Sequence, residues 1–475
     1  MAIDTAPALD PGVAELAQTV RQEIEEFDYP SRPWTVRHAE GGHPVLDVLV
    51  IGGGQAGITA ALRLRREGIR DIEVVDSALS GDEGPWTTWA RMETLRTPKT
   101  LLGPEAGIRA ATFRSWYTRL YGADAYARLG LVPRETWQEY LRWLRTAVGV
   151  RVTNATTVTA LRPRGARWLV ELAGPEGPRS VVARKVVACT GIAGAGGAAV
   201  PAALAEIADA RGSLWAHSSD LIDLPSLEGR SVLVVGLGAS AFDNAAAALE
   251  HGATVLQVGR RATLPSVNSL RHLESKGVFR GFAAMPDDVR LGFLRRELSL
   301  PMPPPPHSVE RCQRHAGYRL RLGTEVTSVH RDGGGLRVET TRGSSTVDFV
   351  IAATGFQVDL RQVPWLAGVV DQVLLWGDVH ELGADGVDRR IARYPYLDPD
   401  LSCRPQPGAS PAVANLHLMN EAAHASVGPI ALGINGLPWA SEAVAHGIAK
   451  DLAAEDGPVL LERFLTATAE EVHAT

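Results

Sequence analysis

Apolar residues in this chain fall mostly into short continuous runs, as expected of strands buried on both faces. One set near the start is different. Val13, Leu16, Val20 and Ile24 recur at helical spacing and predict a short amphipathic helix in an arm that ends near residue 43. The first strong run, 46–51, passes straight into Gly52-Gly53-Gly54-Gln55-Ala56-Gly57 and a helix ending near Gly68. A second run, 72–75, ends at Asp76. A long connection rich in tryptophan and arginine follows, 77–150, with a helix predicted over 134–148 that puts Trp137, Tyr140, Leu141 and Leu144 on one face. Strands are then predicted at 156–161, 168–172 and 181–188, the last running into Cys189-Thr190-Gly191.

The same order then repeats. An apolar run at 231–235 feeds Gly236-Leu237-Gly238-Ala239-Ser240-Ala241 and a helix through Leu249, and the next strand, 254–258, ends in Gly259-Arg260-Arg261. Further strands are expected at 326–330, 336–340 and 347–352, before Ala353-Thr354-Gly355. The Pro-rich stretch 301–306 in the second long connection reads as an extended surface loop. Each half is strand, glycine turn, helix, strand, long connection, strand meander and Thr-Gly exit, which predicts a duplicated α/β unit. The fold expected is two Rossmann-like dinucleotide-binding domains, the second inserted into the first. The division is an arm at 1–43, one domain from 44–191 and 356–475, and the other from 192–355.

Composition narrows the function. A hydrophobic fraction of 45% and a charged fraction of 21% over 475 residues suit a globular chain of two or three domains. The net charge of −6 comes without long blocks of one sign, so no nucleic-acid surface or basic membrane patch is expected. No secretory signal and no apolar stretch long enough for a membrane span is visible, and the expected location is the cytoplasm. The three cysteines, Cys189, Cys312 and Cys403, are far apart, which fits a reducing compartment. Their spacing removes the pyridine-nucleotide disulfide reductases, which need a Cys-x-x-Cys pair. No metal site is expected, since His417, His424 and His446 lack ligand spacing, and oligomeric state is left open.

The two glycine turns carry the chemistry. Gly52, Gly54 and Gly57 form G-x-G-x-x-G between an apolar strand and a helix. Glycine there allows the tight turn, the close approach of a pyrophosphate and helix–strand packing, while the helix N-terminus offers free N–H groups. Asp76 at the next strand end is placed to accept hydrogen bonds from ribose hydroxyls. In the second turn Gly236, Gly238 and Ala241 hold the same positions, but Arg260 and Arg261 replace the acid. Two guanidinium groups suit a 2′-phosphate. The expectation is FAD in the first turn and NADPH in the second.

These motifs resemble the flavin-containing monooxygenase superfamily, which includes animal-type flavin monooxygenases, Baeyer–Villiger monooxygenases and N-hydroxylating monooxygenases. The resemblance covers about residues 44–455. It rests on GGGQAG, on GPWTTWAR where the family has Gly-Gly-x-Trp, on GLGASA, and on DFVIAATGF, in which Asp348, Ala353, Thr354, Gly355 and Phe356 match the family pattern. One departure stands out: the family's F-x-G-x-x-x-H lacks its phenylalanine here, and His217 follows Gly212 by five positions instead of four. The resemblance implies that residues 188–191 and 352–355 are crossings between the domains. It implies cofactor contacts from Gln55, Trp86, Ala239, Ser240, Thr354 and Asn435, the last beside a helix start that would point at the flavin.

It also marks 86–99 as the reactive side of the flavin. Counted from Gly84, Arg96 falls where Baeyer–Villiger enzymes keep an arginine; counted from Pro98-Lys99, it falls where animal-type enzymes keep an asparagine. Arg96, with Lys99 second, is therefore the expected catalytic donor. The function implied is an FAD-dependent, NADPH-consuming monooxygenase in which O2 gives a flavin C4a-(hydro)peroxide that oxygenates a small-molecule nucleophile. An amine or amino-acid nitrogen is favoured, with Baeyer–Villiger or sulfide oxygenation as the alternative. From other classes, a reductase or oxidase without oxygen insertion and a non-catalytic dinucleotide sensor stay open.

Overall fold

The computed structural model describes residues 10–27, 33–300, 302–430 and 433–467. Two sheets dominate, the first mixed, with a parallel centre and antiparallel pairs on either side, the second wholly parallel. The first is seven-stranded: His38–Glu40, His43–Ile51, Gly177–Ala188, Arg167–Gly174 and Thr157–Arg164 lie in that order, with Ile72–Val75 added beside His43–Ile51 and Leu416–His417 beside Gly177–Ala188. The second has five strands, all parallel, ordered Tyr318–Leu322, Thr254–Gly259, Ser231–Val235, Phe349–Ala352 and Trp215–His217. The last strand of the first sheet comes from chain that follows the second sheet, so the second half is enclosed by the first.

The apolar runs land where the sheets need them. Val48–Ile51, Val232–Val234 and Phe349–Ala352 are buried, as central parallel strands must be. Residue ends differ from the sequence pattern for local reasons. Val347 closes a hairpin strand, Gly343–Val347, and the parallel strand starts only at Phe349, because the Asp348 carboxylate turns back to accept from Ser231 N and Oγ at 2.7 and 2.8 Å. The arm helix spans Pro11–Phe27, with Val13, Ala17 and Val20 buried. The expected Pro-rich loop is shorter than its prolines suggest: Pro301 lies outside the described residues, and Pro306 opens the helix Pro306–Gln313, where its missing N–H costs no bond. The final helix, expected to stop at Leu452, runs Leu437–Leu465 and continues past Pro458.

The second half's long connection does not stay with its own sheet. Helix Asp287–Ser299 buries Leu291 and Leu294 in the hydrophobic core that also holds the first sheet. The last helix packs on Gln55–Arg66 and is tied to the first sheet by buried Arg184, which reaches Asp47 at 3.0 Å and Asp456 at 2.8 Å. Among the described residues no helix is long and apolar enough to cross a membrane.

Candidate functional site

In the first turn, Gly52 has φ +102°, and a side chain there would overlap the Cys189 carbonyl. A Cβ at Gly57 would run into the Gly52 carbonyl oxygen. Gly54 is different: the nearest atom to a Cβ there is Gly84 N at 3.8 Å, and as N-cap of Gln55–Arg66 it offers no side-chain cap. The first N–H groups of that helix are thus left for an external acceptor. Asp76, half-buried, accepts from Gly53 N at 2.6 Å and Ala78 N at 2.7 Å, one bond per oxygen, leaving lone pairs on both. Gly53, Gly54 and Gln55 form part of the wall of a cleft of about 740 Å³. The Gln55 Oε1 accepts from Trp137 Nε1 at 3.2 Å, and Trp137 also lines a neighbouring cleft of about 920 Å³ with Leu95, Gly103 and Ile434. An uncapped helix end, an open glycine and an adjacent acid fit a dinucleotide.

The second turn repeats the device. Gly236 has φ +138° with its Cβ position blocked by the Ala353 carbonyl, whereas nothing lies within 4 Å of a Cβ at Gly238, again an uncapped helix start. Ala241 takes the third position, and Ser240 is held by Asn244, whose Nδ2 donates to the Ser240 carbonyl at 2.8 Å. Arg260 and Arg261 are both exposed, Arg260 at 80% with Glu325 4.0 Å away. Burial and the neighbouring Arg260 charge pull the Arg261 pKa below its usual value. A pair of adjacent cations so weakly neutralised fits a phosphate.

The loop between Gly84 and Lys99 lies between the halves. Arg134 Nη1 donates to the Trp86 and Ala90 carbonyls at 2.6 and 2.9 Å. Arg91 donates to Trp89 O at 2.7 Å and, across to the other half, to Ser218 O at 3.0 Å and Asp220 O at 2.9 Å. Burial, then the nearby Arg134 charge, pushes its pKa down to about 10, which still leaves it cationic at neutral pH. Arg96 Nη2 meets Asp243 Oδ2 at 3.2 Å, with the arginine side chain 39% exposed and the aspartate 3%. Lys99 turns elsewhere: its ammonium donates to the carbonyls of Tyr126, Ala127 and Leu129 and sits 4.6 Å from the Tyr126 ring centre. The structure therefore brings Arg91 and Arg96 to the boundary of the halves, leaves Trp86 packed against the core of the first half, and ties Lys99 to the carbonyls of Tyr126, Ala127 and Leu129.

The two Thr-Gly exits lead into paired chain. Gly196–Ala198 and Phe356–Val358 form an antiparallel pair, Thr354 Oγ1 donates to Ala199 O at 2.6 Å, and Asn420 Nδ2 donates to Thr190 Oγ1 at 3.0 Å. His217, fully buried, sits beneath them. The Ser219 N–H points at its Nδ1, which puts the ring proton on Nε2, from where it is given to Gly355 O at 3.0 Å. Burial lowers the His217 pKa, keeping the ring neutral. Its ring lies 5.5 Å from Phe356, which lies 5.9 Å from Trp89. Near the C-terminus, Asn435 is half-buried just before the last helix, whose N-cap Gly436 again offers no side chain.

Two clusters had no visible signal in sequence, because their members are far apart along the chain. One is Asp243 with Ser308 and Arg311, described further below. The other joins His424 to Glu297 at 2.8 Å, beside Glu421. Burial works against the His424 charge, but the Glu297 bond and the Glu421 charge prevail and push its pKa up to about 9. Burial pushes Glu421 up to about 7.

Residues 49–193 match a family described as FAD-NAD(P)-binding, and residues 261–371 one described as flavin-containing amine oxidoreductase. The chain is 34% identical over 455 residues to an FAD-dependent urate hydroxylase from Xanthomonas campestris pv. campestris, covering 95% of this chain and 96% of that protein. Among solved structures, an ornithine hydroxylase from Pseudomonas aeruginosa aligns with TM-score 0.67 at 15% identity, over 86% of this chain and 100% of the other. An L-lysine 6-monooxygenase from Pseudomonas syringae aligns with TM-score 0.65 at 19% identity, over 86% and 99%.

Proposed function

The chain belongs to the class B flavoprotein monooxygenases, and we propose that it hydroxylates a planar, anionic heterocycle of the purine class, urate being the first candidate. The observation that carries this reading is the 34% identity to a urate hydroxylase across nearly the whole of both chains. The amine N-hydroxylases resemble it at 15–19% and speak to fold alone. The overall balance is one substrate, O2, NADPH and a proton giving hydroxylated substrate, NADP+ and water. Bound FAD supplies the acceptor for the NADPH hydride and the site where O2 is activated.

The protein's own groups are assigned as follows. The FAD-binding half is 44–191 with 356–475, and the NADPH half is 192–355. Gly52, Gly54, Gln55 and Gly57 hold the FAD pyrophosphate at the helix start, Asp76 its ribose, and Trp86 packs alongside. Gly236, Gly238, Ala239 and Ser240 hold the NADPH pyrophosphate, with Arg260 and Arg261 on the 2′-phosphate. Thr354 sets the crossing, and Asn435 with the uncapped helix start at Gly436 faces the flavin pyrimidine. Arg96 keeps a positive charge at the boundary of the halves, where it stabilises negative charge as oxygen is transferred and suits an anionic substrate. Lys99 buttresses the loop from behind.

N-hydroxylation of an amine is the second reading; the match over 261–371 to flavin-containing amine oxidoreductases is compatible with an amine substrate but says nothing of oxygen insertion. The test is a panel of urate, other oxopurines, ornithine, lysine, cadaverine, a sulfide and a ketone, incubated with enzyme, NADPH and 18O2. Label in the urate product is the expected outcome. Label in an amine and none in any purine replaces the substrate class with the second reading.

A further inference from the structure

We propose that Asp243 is a positioning residue for hydride transfer that acts through Arg96, locking the flavin-side loop to the helix that opens the NADPH turn. This rests on the assignment of the two nucleotides made above. Helix Ala239–Glu250 buries Ala241, Phe242, Ala245–Ala248 and Leu249, together with Asn244, whose Nδ2 donates within the helix to the Ser240 carbonyl at 2.8 Å. Asp243, 2% exposed, interrupts that face. A carboxylate withdrawn from water is costly unless it is paired and hydrogen-bonded.

Here both oxygens are used. Oδ2 accepts from Arg96 Nη2 at 3.2 Å, and Oδ1 accepts from Ser308 Oγ at 2.6 Å, with Arg311 Nη1 at 4.0 Å. Arg311 in turn pairs with Glu250 at 2.7 Å and lies 3.4 Å from Glu93 on the same loop as Arg96. Three separated pieces of chain converge on one buried carboxylate: the loop at 93–96, the helix after the second turn and the helix Pro306–Gln313.

The placement gives the cluster its consequence. Asp243 stands four residues after Ala239, about 6 Å along the axis from the helix end that takes the NADPH pyrophosphate. Arg96 stands on the loop assigned to the flavin. The two turns belong to different sheets, so the distance between their nucleotides is set by contacts across the boundary. Among the contacts described above, Arg96–Asp243 reaches the nucleotide helix itself from the flavin loop. Hydride transfer is sensitive to small errors: a misplacement of about 1 Å can cost on the order of 10²-fold.

The experiment uses FAD-loaded full-length enzyme, with Asp243→Asn, Arg96→Gln and the double variant. Flavin reduction by NADPH is followed anaerobically at saturating nucleotide, and NADP+ affinity is measured separately by equilibrium titration. The expected result is flavin reduction slowed by about 10- to 100-fold in either single variant. NADP+ affinity should change by less than about threefold, and the double variant should be no slower than the singles. Asp243→Glu, which keeps the charge, should recover much of the rate.

Reduction of Asp243→Asn at the wild-type rate would overturn the proposal. So would a loss of NADP+ affinity that matches the loss of rate, and so would additive losses in the double variant. If Asp243→Asn does not fold, Arg96→Gln decides alone: its side chain is half-exposed, and an unchanged reduction rate overturns the proposal. A wild-type enzyme that NADPH fails to reduce would remove the nucleotide assignment and this inference together.

Discussion

The first glycine turn and the second are built alike where the chain touches itself and differ where it meets a ligand. Gly52 and Gly236 both have positive φ, and both are pinned against the carbonyl of a strand exit, Cys189 in one half and Ala353 in the other. Gly54 and Gly238 both face open space or a distant backbone atom. The turns part at the third position, where Gly57 admits no side chain and Ala241 is one, and at the ribose end, where Asp76 is answered by Arg260 and Arg261. The shared positions are dictated by backbone packing. The differing ones at the ribose end are free to select a nucleotide.

The sharpest way to break this parallel is Gly57→Ala. The added methyl would overlap the Gly52 carbonyl, a backbone atom that cannot rotate away, with Val50 Cγ1 3.5 Å off on the other side. Overpacking of this kind costs about 1–3 kcal/mol even where side chains can shift, so loss of most folded, flavin-loaded protein is expected. Flavin absorbance per chain and a thermal melt measure it. Normal flavin content would mean that the helix has room the structure does not show.

Asp76→Ala comes next. It removes the acceptor of Gly53 N and Ala78 N, at about 1–3 kcal/mol for each donor left without a partner away from water. It also removes the proposed ribose contacts. FAD affinity should fall by at least about 100-fold on that basis, read by titrating apoprotein with FAD. Asp76→Asn should fall between, since it keeps one acceptor oxygen. Arg260→Ala and Arg261→Ala leave the fold untouched, because both side chains are exposed. Each should lower the NADPH/NADH ratio of kcat/KM by roughly 10- to 100-fold, the worth of one charge-assisted contact of about 1.5–3 kcal/mol. If neither arginine moves the ratio, the ribose ends of the two turns do not differ in the way proposed.

What could be read in the sequence follows the same division. The turns were legible because strand, glycine spacing and helix are consecutive, and the burial of Val48–Ile51 and Val232–Val234 makes them continuous apolar runs. Edge strand Tyr318–Leu322 was missed although Arg319 and Arg321 alternate outward between half-buried Tyr318, Leu320 and Leu322, a strand pattern in itself; five residues of it are too few to stand out beside the continuous runs. Helix Asp287–Ser299 was missed for a similar reason: Leu291 and Leu294 form a narrow stripe among charges. The link from Arg96 to Asp243 spans 147 positions and depends on how two sheets dock. Local pattern carries no information about that. Lys99 shows the converse: its place in the sequence says nothing of where its ammonium points, which is to the carbonyls of Tyr126, Ala127 and Leu129.

The smallest effect tests the third position from the other side. If Ala241 does no more than fill space that its turn leaves available, Ala241→Gly should cost only the conformational freedom of a glycine within a helix, about 0.5–1 kcal/mol. The residue is in the first turn of Ala239–Glu250, and its Cβ lies 3.3 Å from where a side chain at Gly236 would be, so its methyl packs under the glycine without blocking the pyrophosphate position at Gly238. The expected outcome is a slightly lower melting temperature with the KM for NADPH unchanged. A rise in KM would mean that the methyl helps shape the turn itself. The third position would then serve the nucleotide in the second half, while in the first half, at Gly57, it serves only the packing of helix on strand.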